Sequence, residues 1–207
     1  PENLFVATKV RADGRDQGIQ QMDASPQKMG VEKIDLMQVH SLADWQTQLP
    51  ILKERKAQGI YRYIGITASR EELYEDFIEI MRREPLDFIQ INYSVAERKA
   101  EEVILPLAMD RGMAVFINRP FVAGALFPYV ANKTLPDWAT EFDCHSWGQF
   151  FLKFILSHPA VTVALQATSS PAHLVDNLKA GQGLLPNEEL RQRMVNLIGL
   201  TGRPPWV

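Results

Sequence analysis

Several things are scarce in this 207-residue chain. It has one cysteine, Cys144, which excludes an internal disulfide and any site built from several thiolates. Positive charge is not in excess: 22 Lys and Arg stand against 25 Asp and Glu, for a net charge of −3. That balance argues against a nucleic-acid binder, which presents a basic stripe, and against a polybasic membrane-surface protein. No run approaches the ~18 consecutive apolar residues of a membrane-spanning helix. The four histidines have no zinc-like spacing. There is no Gly-x-Ser-x-Gly elbow, P-loop or Rossmann glycine fingerprint. The expected location is the cytoplasm, as a reducing compartment suits a lone cysteine. Export is left open, because the first residue is Pro1 rather than Met.

What is present is alternation of strand and helix. Apolar strand-like runs fall at 4–10, 34–40, 63–67, 88–93, 114–118 and 161–165. Helical patterns fall near 15–29, 46–58, 70–83, 99–111, 145–157 and 171–180, with a last helix near 187–199. Near-continuous apolar strands such as Tyr63-Ile64-Gly65-Ile66-Thr67 suit parallel strands covered by helices. Ser69 reads as an N-cap before Glu71 and Glu72, and Asn187 as one before Glu188 and Glu189. Gly59 and Gly112 read as helix ends. Pro26 is expected to kink the first helix or split it. The longest connection, 119–143, is expected to be functional or partly ordered by a ligand.

Polar residues close these strands in a regular way. Side chains alternate between faces, so Lys9 shares a face with Phe5 and Ala7, and His40 with Leu36 and Gln38. Gln90 shares one with Phe88 and Asn92, and Asn118 with Phe116. In a barrel of alternating strands and helices, the carboxyl ends of the strands carry the chemistry. Taken alone, Lys9 also reads as a strand-end lysine reaching to solvent, and His40 as a satisfied rim residue. The reading is one α/β domain over 1–207, an incomplete TIM-type (β/α) barrel with about six βα units and a C-terminal helix. A closed barrel needs eight units. The first and last strands would then be open edges, able to pair with another copy of the chain.

Six stretches together resemble the aldo/keto reductase family. They are Phe-Val-Ala-Thr-Lys (5–9), Ile-Asp-Leu-Met-Gln-Val-His (34–40), Tyr-Arg-Tyr-Ile-Gly-Ile-Thr (61–67), Phe-Ile-Gln-Ile-Asn-Tyr-Ser (88–94), Asn-Arg-Pro-Phe (118–121) and Ala-Thr-Ser-Ser-Pro-Ala-His-Leu-Val-Asp-Asn-Leu (167–178). The match begins at the family's third strand. The resemblance implies an oxidoreductase that reduces a small aldehyde or ketone with NADP or NAD. By motif, Lys9 and His40 are the family's catalytic lysine and histidine; its Asp and Tyr lie upstream of the matched region. Cofactor binding is implied for Thr67, Gln90, Asn118, Arg119, Phe121, Gly124, Thr168, Ser169, Ser170 and Asn177. Gln90 resembles the residue that pairs with the nicotinamide carboxamide. Arg119 and Gly124 resemble the pyrophosphate clamp, and Asn177 matches a position near adenine. Ala68 departs from the Ser-Asn that often follows the family's fifth strand. Asn118 departs from its stacking aromatic, and Ala167 and His173 stand where a 2′-phosphate usually meets basic residues. Tyr93 falls on the face opposite Gln90 and is an unsuitable substitute acid. The alternative is a non-catalytic remnant that binds nucleotide or a partner chain through its edges.

Overall fold

The computed structural model describes residues 4–199. Its strands are β1 (Ala7–Val10), β2 (Leu36–Val39), β3 (Tyr63–Thr67), β4 (Phe88–Asn92), β5 (Ala114–Asn118) and β6 (Val163–Ala164). Its helices are α1 (Arg15–Met29), α2 (Trp45–Ala57), α3 (Tyr74–Arg83), α4 (Ile104–Asp110), α5 (Leu126–Val130), α6 (Trp147–Leu156), α7 (Pro171–Leu178) and α8 (Glu188–Ile198). Sheet order follows chain order, β1-β2-β3-β4-β5-β6. The chain divides into two compact units, Pro1–Gln90 with Leu107–Ala114, and Ile91–Pro106 with Val115–Val207.

In the first unit, parallel pairing sets Lys9 opposite Gln38, Gln38 opposite Gly65, Gly65 opposite Phe88 and Thr67 opposite Gln90. The alternate residues Val10, Met37, Val39, Ile64, Ile66 and Ile89 are fully buried. α1 and α2 pack over β1, β2 and β3. One sheet face is thus the apolar floor beneath the helices, and the other carries the polar row. At the amino end of that second face the rings of Phe5, Tyr63 and Phe88 meet at 5.3–5.9 Å. Gly65 is required by close approach: a Cβ there would lie 2.3 Å from the Phe88 carbonyl oxygen.

In the second unit β5 pairs in parallel with β6. α6 is an apolar helix with Phe150, Phe151, Phe154 and Ile155 all buried, and it packs against α7 and β6. Arg191 of α8 donates to the hydroxyl of Tyr93 at 2.7 Å and to the Glu101 carboxylate at 2.8 Å, anchoring the last helix. Among the described residues no helix is long and apolar enough to cross a membrane.

Two local expectations need correction. α1 runs uninterrupted through Pro26. The proline sits in the last turn, where the Pro26 carbonyl accepts from Val31 N at 3.1 Å and Gly30 closes the helix in the left-handed region. Ser69 is not a cap, because the chain enters through extended Arg70 into a 3-10 turn, Glu71–Leu73, that leads into α3. The connection 119–143 contains α5 and a 3-10 turn at Asp137–Phe142, with Val122, Leu126 and Phe142 fully buried. Asn187 does cap α8, its side chain accepting from Leu190 N at 2.9 Å.

Candidate active site

In the first unit, Lys9 closes the polar row of β1 and His40 follows directly on β2. Burial lowers the Lys9 pKa from its ordinary value. The His40 pKa is also lowered, first by burial and then by the positive charges of Lys9 and Arg11. His40 is therefore a neutral imidazole at pH 7, with one N–H to donate and one lone pair to accept.

Thr67 braces the turn that follows His40. Its Oγ1 accepts from the Ser41 amide at 2.9 Å. Ser41 and Leu42 stand at φ 52° and 55°, in the left-handed region that non-glycine residues avoid. The Thr67 hydroxyl thus pins a strained turn immediately after His40. Beside it, Ala68 N donates to the Gln90 carbonyl at 2.9 Å, which fixes the backbone of both residues. Sequence reasoning passed over Gln38. Its side chain is buried, and Nε2 has no hydrogen-bond partner among the described residues. A buried orphan donor next to Lys9 marks a site rather than a core. The signal was available, as Gln38 precedes His40 by two residues on the same face.

In the second unit, the turn after β5 is strained. Arg119, Val122 and Ala123 have φ 49°, 51° and 53°, and Gly124 takes φ 89°, where only glycine is at ease. Val122 N donates to Arg119 O at 2.8 Å and Gly124 N to Phe121 O at 2.9 Å. Arg119 keeps a buried Nε without a hydrogen-bond partner among the described residues. Asn118, half-buried, ends β5. Beyond β6, Thr168 Oγ1 accepts from Ser170 N at 3.1 Å. Ser170 caps α7, its side chain accepting from His173 N at 3.3 Å.

A cavity of about 510 Å³ opens between this turn, α6 and α7. Of the residues picked out by sequence, Phe121, Ala167, Thr168, His173 and Asn177 line it; Arg119, Gly124, Ser169 and Ser170 are not among its walls. Phe121 and Phe127 pack at 4.9 Å between centroids and supply an aromatic wall. Asn177 is buried, and its Nδ2 donates to Gln166 Oε1 at 2.8 Å. The Asp176 carboxylate accepts from Ser146 Oγ at 2.5 Å and from Gln149 Nε2 at 2.7 Å. Gly148 lets α6 approach α7, as a Cβ there would lie 3.0 Å from Asn177 Oδ1. Sequence reasoning missed Phe127, Ser146, Trp147 and Gly148. They sit on two helices distant in sequence from α7, and only the cap position of Ser146 gave a local signal. Among the described residues no three His, Cys, Asp or Glu side chains gather to hold a metal ion.

The aldo/keto reductase family model matches residues 1–193. The chain belongs to this family. An NADH-specific methylglyoxal reductase of Escherichia coli is 28% identical over 130 residues, covering 58% of this chain and 38% of the relative. An uncharacterized oxidoreductase of Schizosaccharomyces pombe is 27% identical over 172 residues, covering 82% of this chain and 54% of the relative. This aldo/keto reductase chain thus spans about half the length, or less, of these curated relatives. Among solved structures, an aldo/keto reductase from Klebsiella pneumoniae in complex with NADP and acetate aligns with a TM-score of 0.78 at 19% identity, over 98% of this chain and 74% of that one. The holo form of an aldo-keto reductase from Bacillus halodurans aligns with a TM-score of 0.75 at 21% identity, over 95% of this chain and 73% of that one. The fold is therefore the TIM-type barrel fold of the family, with six βα units within the described residues.

Proposed function

We propose that this chain carries the carbonyl-activating and cofactor-holding parts of an NAD(P)H-dependent reductase of aldehydes or ketones. The observation that carries the reading is the pair Lys9 and His40, with the histidine held neutral beside a cation. A neutral imidazole N–H donates a hydrogen bond to a carbonyl oxygen and orients it. The Lys9 ammonium stabilises the negative charge that develops on that oxygen as it is reduced. When bound, a nicotinamide dinucleotide supplies the hydride.

The residues suit such a group. The aromatic cavity of about 510 Å³ fits a nucleoside, and the Arg119 guanidinium, with its Nε unpartnered among the described residues, and the side chains of Thr168, Ser169 and Ser170 ahead of α7 would meet the pyrophosphate. In the first unit Gln90 and Thr67 would hold the carboxamide; in the second, Asn118 and Phe121 would meet the ring and ribose, and Asn177 the adenine. Tyr93 is not the proton donor. Its hydroxyl is fully buried, donates to Glu101 and accepts from Arg191.

The test is a panel of aldehydes and ketones, with loss of reduced nicotinamide absorbance as readout. The chain is assayed alone and joined to two preceding βα units of a relative. Turnover that drops ~10²-fold or more in His40→Ala is the expected result. No turnover by either form with any substrate would overturn the proposal.

The second reading, a binding chain without turnover, draws on β1 and β6 as the end strands of the sheet, with Leu4, Phe5, Val163 and Leu165 exposed. Edge-mediated self-association predicts a dimer or larger species by light scattering. A monomer at high concentration counts against it.

A further inference from the structure

α5 carries part of the cavity wall in the second unit and is poorly equipped to hold itself. It is five residues long, Leu126–Val130, little more than one turn, and so short a helix has too few backbone bonds to stand alone. Of the five, Leu126 and Val130 are buried. Phe127 instead lines the cavity, packed on Phe121 at 4.9 Å and on Phe151 at 6.0 Å between centroids. Much of what holds α5 comes from α8. Tyr129 Oη donates to the Ile198 carbonyl at the carboxyl end of α8, at 2.7 Å. Arg193 of α8 lies over the Trp138 ring, 4.4 Å from the centroid, and pairs with Glu141 at 3.7 Å. Both partners belong to the Asp137–Phe142 turn that follows α5. α8 is itself anchored through Arg191, with Met194 and Ile198 fully buried. Beyond the end of α5, the Lys133 carbonyl accepts from the Trp147 indole at 3.1 Å. Trp147 lines the cavity and stacks on Phe151 at 5.8 Å. A chain of contacts thus runs from α8 through Tyr129 and α5 to Phe127 and Trp147.

We infer that α8 is a clasp on this cavity, with Tyr129 and Arg193 as positioning residues that hold its aromatic wall where a nucleoside can pack on it. The inference rests on the cofactor reading above. Neither side chain is among the described residues that line the cavity, so each acts through Phe127 and Trp147. Without the Tyr129 hydroxyl, α5 keeps its binding position for only a fraction of the time. The apparent affinity for the ligand falls by that fraction. The clasp is separable from the fold of the unit, because the buried residues of α6 and α8 are untouched by its loss.

The experiment pairs NMR of the tryptophan indole N–H groups, on the 207-residue chain without ligand, with isothermal titration by NADH and by NADPH. Tyr129→Phe keeps the ring, over which the Lys133 ammonium lies at 4.0 Å, and removes only the hydroxyl. In this variant the Trp147 indole resonance should shift and its proton exchange faster with water, while Trp45 of the first unit stays in place. The dinucleotide should bind about threefold to tenfold more weakly, the scale set by one hydrogen bond. Arg193→Met keeps the apolar stem and removes the cation; it should shift the Trp138 indole and weaken binding in the same direction. A residue that only supported overall stability would leave the folded-state indole positions unmoved. An unmoved Trp147 in Tyr129→Phe would overturn the clasp. A moved Trp147 with unchanged dinucleotide affinity would overturn its coupling to the cavity and leave the cofactor reading standing. Binding of neither dinucleotide by the unsubstituted chain would overturn the cofactor reading itself, and this inference with it.

Discussion

Arg191→Met should loosen the second unit by an amount the structure sets. Arg191 is 6% exposed, and its guanidinium donates to four oxygens: Tyr93 Oη, Glu101 Oε1, Ser157 Oγ and the Phe154 carbonyl. It also lies over the Phe154 ring, 4.4 Å from the centroid. Breaking a fully buried pair costs about 3–5 kcal/mol, because one charge is left without its partner. Here the partner is less enclosed, with side-chain exposures of 8% for Arg191 and 32% for Glu101, so water takes up part of the loss. Glu101 keeps the Tyr93 hydroxyl, and the Phe154 carbonyl keeps Ser157 Oγ at 2.9 Å. Methionine retains the apolar cover over Phe154. The expected cost is therefore about 2–3 kcal/mol, the buried range discounted for these survivors. Urea unfolding followed by tryptophan fluorescence measures it, since Trp138 and Trp147 both report on this unit. Combining Arg191→Met with Glu101→Gln should cost less than the sum of the singles by about 1 kcal/mol or more. A single-variant cost below about 0.5 kcal/mol, or strict additivity, would refute the reasoning. The same network sets an alkaline limit. Burial pushes the Tyr93 hydroxyl far above the ordinary 10.0, so the unfolded chain loses that proton first. Stability should hold up to about pH 10 and fall above it.

Gly65→Ala should destabilise the first unit by about 1–3 kcal/mol or more, because the atom it strikes is the Phe88 backbone oxygen, which cannot rotate away; thermal unfolding reads it. His158 accepts from Ala160 N at 3.2 Å, and its pKa is lowered by burial first and then by Arg191. Its folded pKa lies below the unfolded 6.5, so stability is complete above about pH 6.5 and is lost as pH falls toward the folded value. His158→Asn should flatten that acid slope, which a single group limits to about 1.4 kcal/mol per pH unit. Lys9→Met should raise the His40 pKa and leave it below 6.5, as burial, the larger cause, remains. An imidazole NMR titration checks this, and an unmoved His40 would show that the two side chains do not sense each other.

The bounds of β3 and β5 were legible to the residue, because parallel strands buried under helices read as continuous apolar runs closed by polar residues. β6 was harder: five residues of strand-like sequence yield only Val163 and Ala164 in the ladder, since pairing on one flank alone fixes the strand's length. Pro26 misled because propensity prices a lost backbone bond, and the last turn before Gly30 had little left to lose. At the site, Lys9, His40 and Gln90 stood out because alternation puts them at polar strand ends, while Thr67 entered through the family resemblance. The cavity was only partly legible. Phe121, Thr168 and Asn177 belong to local motifs, but Ser146, Trp147 and Gly148 join them through helix packing that no local pattern encodes. Thr67 shows the same limit. Its place at a strand end was readable, and its grip on the strained Ser41 turn was not.

Amide hydrogen exchange of the chain, with and without saturating NADH, tests the central claim most directly. The account predicts slowed exchange in three places: the His40–Leu42 turn with Thr67 and Gln90, the Arg119–Gly124 turn, and the stretch from Thr168 through α7 to Asn177. Protection confined to other surfaces, or none at any NADH concentration, would contradict it.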